Sequence, residues 1–301
     1  MRILVTDGMD SSALEQLRAD GHEVVEQFYA PEELGAALRD VDVAVVRSAT
    51  KVRANHIDEA KGGKLKLVIR GGVGVDNIDV AYAQENGITV RNTPMASSNA
   101  VAELAIALLF SCARNVSVAG HTMREEKWEK KAYSKGFELS GKTMGVIGYG
   151  RIGRKVGEKA QALGMNVLSC VHRNKPEGCE CDTMHFVSMD ELLAQADVLV
   201  LCAPSGDKPM VDRESLAKMK DGVVIVNVSR GSNVDEAALM EALESGKVKA
   251  AGLDVWENEK SPNWALAAHS AVSCTPHIGA GTKEAQKRIG AEIVEIIRQF
   301  A

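Results

Sequence analysis

The sequence has no run of apolar residues long enough to cross a bilayer. Its most apolar helical stretch, VAELAIALLFSCA at 101–113, contains Glu103 and is shorter than the roughly 20 residues a span needs. Nor is there a surplus of charge. With 36 Lys and Arg against 41 Asp and Glu, the net charge of −5 gives no reason to expect nucleic acid or membrane as a partner. Any site for a small anion must be built from local arginines and backbone amides. The start, MRILVTDGMD, lacks a basic leader with an apolar stretch and a small-residue cleavage site, so no signal peptide is expected. Cysteine is sparse and scattered, at 112, 170, 179, 181, 202 and 274. Those at 170, 202 and 274 sit in or beside apolar runs and read as small core residues. The CEC at 179–181, with His185 nearby, fits no standard zinc spacing; it reads as a solvated loop, and no metal is expected. This cysteine usage points to a reducing cytoplasm. There is no short repeat and no low-complexity tract.

The 301 residues suffice for two domains, and 45% are apolar, as in an ordinary globular chain. Short β-branched runs alternate with segments of helical period. RILVT (2–6), DVAVV (42–46), LKLVI (65–69) and GITV (87–90) read as buried parallel strands, the first separated by helical SALEQLRAD and PEELGAALRD. An apolar helix follows over 98–119, capped by Ser97 or Ser98, and then a charged stretch, HTMREEKWEKKAYSKG. A second series opens at 143 with TMGVI, NVLSC, DVLVLC, GVVIVNV, KAAGLDV and AVSCT, with helices between them. An amphipathic helix closes the chain over 282–300. Two βα series imply an α/β protein of two doubly wound parallel-sheet domains, with the helix from 98 as the connection.

TMGVIGYGRIGRKVGEKAQALG reads strand, Gly148-x-Gly150-x-x-Gly153, helix. Gly148 permits the tight turn, Gly150 lets the backbone approach a pyrophosphate, and Gly153 lets helix and strand pack closely. The helix N-terminus supplies free N–H groups for the phosphates. In such folds the next strand ends in an acid that binds the adenosine ribose. Here VLSCVHRNK puts Val171, His172 and Arg173 there. Arg173 can pair with a 2′-phosphate, and His172 can add a donor. The pattern leans to NADP(H) and leaves NAD(H) open.

Three strands of the second series end in chemically useful residues: GVVIVNVSR in Arg230, KAAGLDVWENE in Asp254 and then Glu259, and AVSCTPH in His277. Ligands in open α/β sheets bind beyond such strand ends. Oxidising a secondary alcohol needs a base for the hydroxyl proton, which a histidine supplies. A nearby carboxylate stabilises the imidazolium. A guanidinium fixes a substrate carboxylate. Spacing alone does not bring the three together. In the first series, VVRSATK places Arg47, Ser48 and Lys51 after one strand. LVIRGGVGVDN places Arg70 at the next strand end, followed by Val73 and Gly74 in a glycine turn whose amides can hold a carboxylate.

The chain resembles the D-isomer-specific 2-hydroxyacid dehydrogenases, and among them the phosphoglycerate-oxidising members. The likeness is carried by VVRSATKV, GVGVDNIDVAYAQENGITVRNTP, ELSGKTMGVIGYGRIGR, VNVSRGSNVDEAALMEAL, AGLDVWENE and TPHIGAGTKEAQ. It implies a Rossmann-type nucleotide-binding domain at 98–280 and a discontinuous, flavodoxin-like substrate domain at 1–97 and 281–301. The cleft between them would close on substrate. It implies Arg230, Glu259 and His277 as the catalytic set and Asp254 as the contact of the nicotinamide amide. Arg151 and Ile152 fall on pyrophosphate contacts, and Ala203, Val228, Ser229, Gly279 and Ala280 on further cofactor contacts. Arg47 and Arg70 match positions that approach substrate. The 98–138 segment resembles a dimer-forming segment, so a homodimer is expected. Two departures stand out: the ribose-binding acid is missing, and the chain ends after its closing helix, so serine feedback through an added regulatory domain is not expected. The expected reaction interconverts 3-phosphoglycerate and 3-phosphohydroxypyruvate in serine synthesis. The alternatives are an NADPH-linked reductase of glyoxylate, hydroxypyruvate or another 2-keto acid, and, in another class, a cofactor-sensing corepressor.

Overall fold

A computed structural model describes residues 1–170, 178 and 180–300. The chain divides into two compact units, Met1–Ser98 with Ala280–Ala301, and Asn99–Gly279.

The first unit alternates β1 (Arg2–Val5), α1 (Ser11–Ala19), β2 (Glu23–Glu26), α2 (Pro31–Arg39), β3 (Val43–Val46), α3 (Ala54–Ala60), β4 (Leu67–Arg70), α4 (Val80–Glu85) and β5 (Thr89–Asn92). The strands form one parallel sheet in the order β2-β1-β3-β4-β5. The second unit contains α5 (Ser98–Arg114), α6 (Val116–Arg124), α7 (Lys130–Tyr133), β6 (Thr143–Ile147), α8 (Arg151–Ala162), β7 (Asn166–Cys170), β8 (Met184–Val187), α9 (Met189–Gln195), β9 (Val198–Leu201), α10 (Arg213–Lys218), β10 (Val223–Asn227), α11 (Glu236–Glu244), β11 (Val248–Leu253), α12 (Trp264–Ala267) and β12 (Val272–Cys274). Its seven strands run β12-β11-β10-β9-β6-β7-β8, all parallel. The order reverses between β6 and β9, so their carboxyl ends form the switch-point crevice of a doubly wound sheet.

The central strands form because their side chains are apolar on both faces. VAVV of β3, VLVL of β9 and VVIVN of β10 are buried at every position. β-branched residues suit a sheet covered by helices on both sides. The closing helix α13 (Lys283–Phe300) returns to the first unit and buries Ala285, Ile289, Gly290, Ile293, Val294 and Ile297 on one face. Gly290 lets it approach α1, since a Cβ there would lie 2.7 Å from that of Ala13.

Two expectations need correction, and two strands were not foreseen. β2 and β8 were not foreseen; both are short edge strands with half-exposed patterns, and neither carries a long apolar run. The helix expected over 98–119 is two helices, broken at Asn115 (φ 54°) and bent by 68°. The Ser98 hydroxyl donates back to the Pro94 carbonyl (3.3 Å). Cys274 is exposed at the end of edge strand β12 and is not a core residue. Among the described residues no single helix is long and apolar enough to cross a membrane.

Candidate active site

The glycine turn after β6 is shaped by its neighbours. Gly148 has φ +95°, and a Cβ there would lie 2.5 Å from the Ala203 amide nitrogen. A Cβ on Gly153 would overlap the Gly148 carbonyl oxygen. Gly150 is different: it is the N-cap of α8, its φ is −83°, and a Cβ would meet no protein atom within 4 Å. Neither conformation nor packing demands glycine there. The open space lies before the first turn of a 12-residue helix. Helical bonding starts only at the Arg154 amide, which donates to Gly150 O (3.0 Å). The amides of Arg151, Ile152 and Gly153 therefore point at that space, as a pyrophosphate requires. Arg151 is exposed, whereas the Ile152 side chain packs on the core, so its contribution is its amide. β7 ends at Cys170; Val171, His172 and Arg173 lie outside the described residues.

Ala203 follows β9 and backs Gly148. Val228 and Ser229 follow β10 and are buried. Ser229 donates from N (3.1 Å) and Oγ (2.8 Å) to Asn227 Oδ1, while Asn227 Nδ2 donates to the Arg230 carbonyl (2.8 Å). Asn233, fully buried, donates to Ser229 Oγ (2.9 Å) and Ala203 O (3.0 Å). This amide–hydroxyl network fixes the turn that presents Arg230, whose Nη1 also reaches Ser229 O (2.7 Å). The sequence reading missed Asn227 and Asn233. The available signal was an amide closing the buried run VVIVN.

His277 and Glu259 meet: His277 Nδ1 lies 2.6 Å from Glu259 Oε1. Both side chains are partly exposed. The carboxylate contact is made at Nδ1, so Nε2 is the ring nitrogen turned away from Glu259. The Arg230 turn packs on the same region, since Gly231 abuts the Trp256–Glu257 backbone with no room for a Cβ. His277 has φ 52°, unusual for a residue with a side chain. Asp254, 1% exposed, holds that conformation. Its Oδ1 accepts from Thr275 Oγ1 (2.6 Å) and the Ile278 amide (2.8 Å), its Oδ2 from the Gly279 amide (2.9 Å), and its carbonyl from the His277 amide (2.8 Å). Ala280 begins the next segment, and its carbonyl accepts from Gln286 Nε2 (2.7 Å).

In the first unit, Arg47 and Arg70 stand at the ends of the neighbouring strands β3 and β4, where Val46 pairs with Arg70. Arg47 lines a small pocket with Asp10, Gln286 and Ile289. Burial pulls its pKa down, and Asp7 acts in the opposite direction. Asp7 Oδ2 accepts from the amides of Arg47 (2.6 Å) and Thr50 (3.1 Å), and Asn77 Nδ2 donates to the carbonyls of Arg47 (2.6 Å) and Thr50 (2.8 Å). The Arg70 guanidinium lies over Gly72, where a Cβ would collide with it. Val73 is exposed, and its carbonyl accepts from Asn92 Nδ2 (2.5 Å); Gly74 is half-buried beside it. Of the CEC stretch, Cys181 is exposed and accepts from Gln161 Nε2 (3.2 Å), and Cys179 lies outside the described residues.

A profile of the D-isomer specific 2-hydroxyacid dehydrogenase NAD-binding domain matches residues 106–279. The chain is 46% identical over 303 residues to a hydroxypyruvate reductase of Thermotoga maritima, covering 98% of this chain and 97% of that protein. It is 43% identical to a D-3-phosphoglycerate dehydrogenase of Methanocaldococcus jannaschii, covering 99% of this chain but 57% of that protein. A glyoxylate reductase structure from Paecilomyes thermophila superimposes with a TM-score of 0.89 at 34% identity, covering 99% of this chain and 94% of that one. This chain belongs to the D-isomer specific 2-hydroxyacid dehydrogenases, oxidoreductases that work with a nicotinamide cofactor.

Proposed function

We propose that the protein interconverts 3-phosphoglycerate and 3-phosphohydroxypyruvate. The observation that carries the choice of substrate is the pair Arg47 and Arg70 on adjacent strand ends. The Arg47 guanidinium is partly buried, with burial outweighing the attraction of Asp7, and such a cation favours an anionic ligand such as a phosphate. Arg230 holds the substrate carboxylate. His277 Nε2 takes the proton of the 2-hydroxyl on oxidation and returns it on reduction. Glu259 fixes the imidazole through Nδ1 and stabilises its protonated form. Asp254 Oδ2, which accepts one hydrogen bond, has a lone pair left for the carboxamide of the cofactor. The nicotinamide, when bound, accepts or supplies the hydride. The absence of an acid after β7 supports NADP(H) over NAD(H). The exposed apolar side chains Phe110, Val116, Met123 and Trp128 support a homodimer formed through that segment.

The end-to-end match to the Thermotoga hydroxypyruvate reductase favours a second reading, reduction of the unphosphorylated acid. Steady-state kinetics separate them, with 3-phosphohydroxypyruvate, hydroxypyruvate and glyoxylate each paired with NADH and NADPH. The first reading expects the highest kcat/KM with the phosphorylated acid. It also expects Arg47→Ala to raise KM for that acid about 10- to 100-fold, the loss of one charged hydrogen bond, and for hydroxypyruvate far less. Equal effects on both substrates would refute the phosphate contact. No turnover with any of the three acids would refute both readings and leave another 2-keto acid or the cofactor-sensing alternative.

A further inference from the structure

Glycine recurs once more than the phosphate loop needs. Gly157 lies inside α8, where glycine in place of alanine costs roughly 1 kcal/mol. Its backbone is not left-handed, so conformation does not require it. An aromatic ring crowds the position instead. A Cβ at 157 would sit 3.0 Å from both Cε2 and Oη of Tyr149. Tyr149 is the residue between Gly148 and Gly150. Its ring lies over α8 at Gly157 and meets Phe186 of β8 edge-on, with centroids 5.5 Å apart and planes at 89°. Phe186 pairs in register with Ser169 of β7, one residue before that strand ends. The crest of the phosphate loop is therefore pinned to the helix beneath it and to the edge strand beside it.

The pinning adds to the constraints that Ala203 and Gly153 place on Gly148. Gly148 and Gly150 have no side chains, and no protein atom lies where a Gly150 Cβ would reach. A glycine loop that must order around a ligand loses conformational entropy at binding. A loop already held by its one large side chain loses it at folding instead.

We infer that Tyr149, Phe186 and the gap left by Gly157 form a positioning unit for the adenosine–pyrophosphate half of the cofactor. Tyr149 and Phe186 act through the amides of the loop and take no part in hydride transfer. The inference rests on dinucleotide binding at this loop.

The test uses Gly157→Ala, Tyr149→Leu, Phe186→Leu and the pair Gly157→Ala/Tyr149→Leu in the full chain. ADP-ribose and nicotinamide mononucleotide serve as competitive probes of the two cofactor halves, alongside kcat and thermal unfolding. In Gly157→Ala the new methyl pushes the ring aside. The Ki of ADP-ribose and the KM of the dinucleotide should then rise together, about three- to tenfold. The Ki of the mononucleotide and kcat should stay within about twofold. The melting temperature should hold or rise, because alanine favours the helix. Phe186→Leu should shift the same two constants in the same direction. Adding Gly157→Ala to Tyr149→Leu should do no further harm, since the ring it would strike is gone. An unchanged ADP-ribose Ki in Gly157→Ala overturns the inference, as does an equal rise for both probes or a lower melting temperature with reduced kcat. Failure of both ADP-ribose and its 2′-phosphorylated form to compete in the wild-type protein would instead refute cofactor binding at this loop.

Discussion

Replacing Asp254 with asparagine exchanges one carboxylate oxygen for an amide nitrogen at almost constant volume. The side chain is 1% exposed and accepts three hydrogen bonds, from Thr275 Oγ1, Ile278 N and Gly279 N, while its carbonyl accepts from His277 N. His277 sits between these contacts at φ 52°, a conformation that costs an ordinary residue roughly 1–2 kcal/mol. In the amide variant the oxygen keeps Thr275 and Ile278, and the new NH2 faces the Gly279 N–H, donor against donor. A lost hydrogen bond to a charged acceptor is worth about 1.5–3 kcal/mol. That loss matches or exceeds the cost of the left-handed backbone, so the loop that presents His277 Nε2 is no longer held. If about 1.5–3 kcal/mol is lost from the reactive geometry, kcat falls roughly 10- to 150-fold. Thr275→Val removes only a hydroxyl donor, and about 1 kcal/mol predicts roughly fivefold. The measurement is kcat at saturating cofactor for both variants. Turnover of Asp254→Asn within threefold of wild type, or a larger loss in Thr275→Val than in Asp254→Asn, would refute the idea that this carboxylate sets the histidine loop.

Replacing His277 with alanine should lower kcat by about 10²- to 10⁴-fold, the range for a positioned acid–base group. Dinucleotide affinity, followed by fluorescence titration, should stay near wild type, and retained turnover would remove Nε2 from the mechanism. Burial pushes the Cys112 thiol from its ordinary 9.0 up to about 12, with the Ser273 hydrogen bonds opposing. The folded state thus keeps a proton that the unfolded chain gives up. That contribution is complete below pH 9 and is lost as the pH rises towards 12. Urea midpoints between pH 8 and 10.5 should therefore fall more steeply for the wild type than for Cys112→Ala; parallel profiles would contradict this.

The buried strands were legible because their chemistry is uniform. A run such as VLVL of β9 can satisfy its environment only between two apolar layers. The edge strands were not, because β2 and β8 are held by one neighbour and show water part of their surface. The break at Asn115 was hidden for another reason. The apolar period continues through it, and what stabilises the bend is a cluster of hydroxyls distant in sequence. Ser273 Oγ lies 2.9 Å from Ser111 Oγ and 3.0 Å from Ser117 Oγ, and the Ser117 amide donates to Ser111 Oγ (3.2 Å). The glycine turn and the polar strand ends of the second unit were readable one by one. The contact between His277 and Glu259 was not, since it depends on how two loops fold back.

A polar residue at the end of a buried strand has two possible employments, and sequence reading sees only one. It can face a ligand, or it can hold the loop that does. Asp7, Asn227 and Asp254 all stand at or just past strand ends, after β1, at β10 and after β11. Asp7 ties down the amides of Arg47 and Thr50. Asn227 ties down Ser229 and the Arg230 carbonyl. Asp254 ties down the loop of His277. The shared cause is physical. Loop amides near the carboxyl edge of a parallel sheet lose their ladder partners, and a buried donor left unmatched costs about 1–3 kcal/mol. A short side chain from the strand itself is the nearest acceptor that can match it. The residue which presents the reactive group can then be long, partly exposed and free to meet substrate, because its backbone is fixed from behind. Substitution of these three anchors should accordingly lower rate or substrate affinity through the geometry of Arg47, Arg230 or His277, even though none of the three needs to touch the reacting atoms.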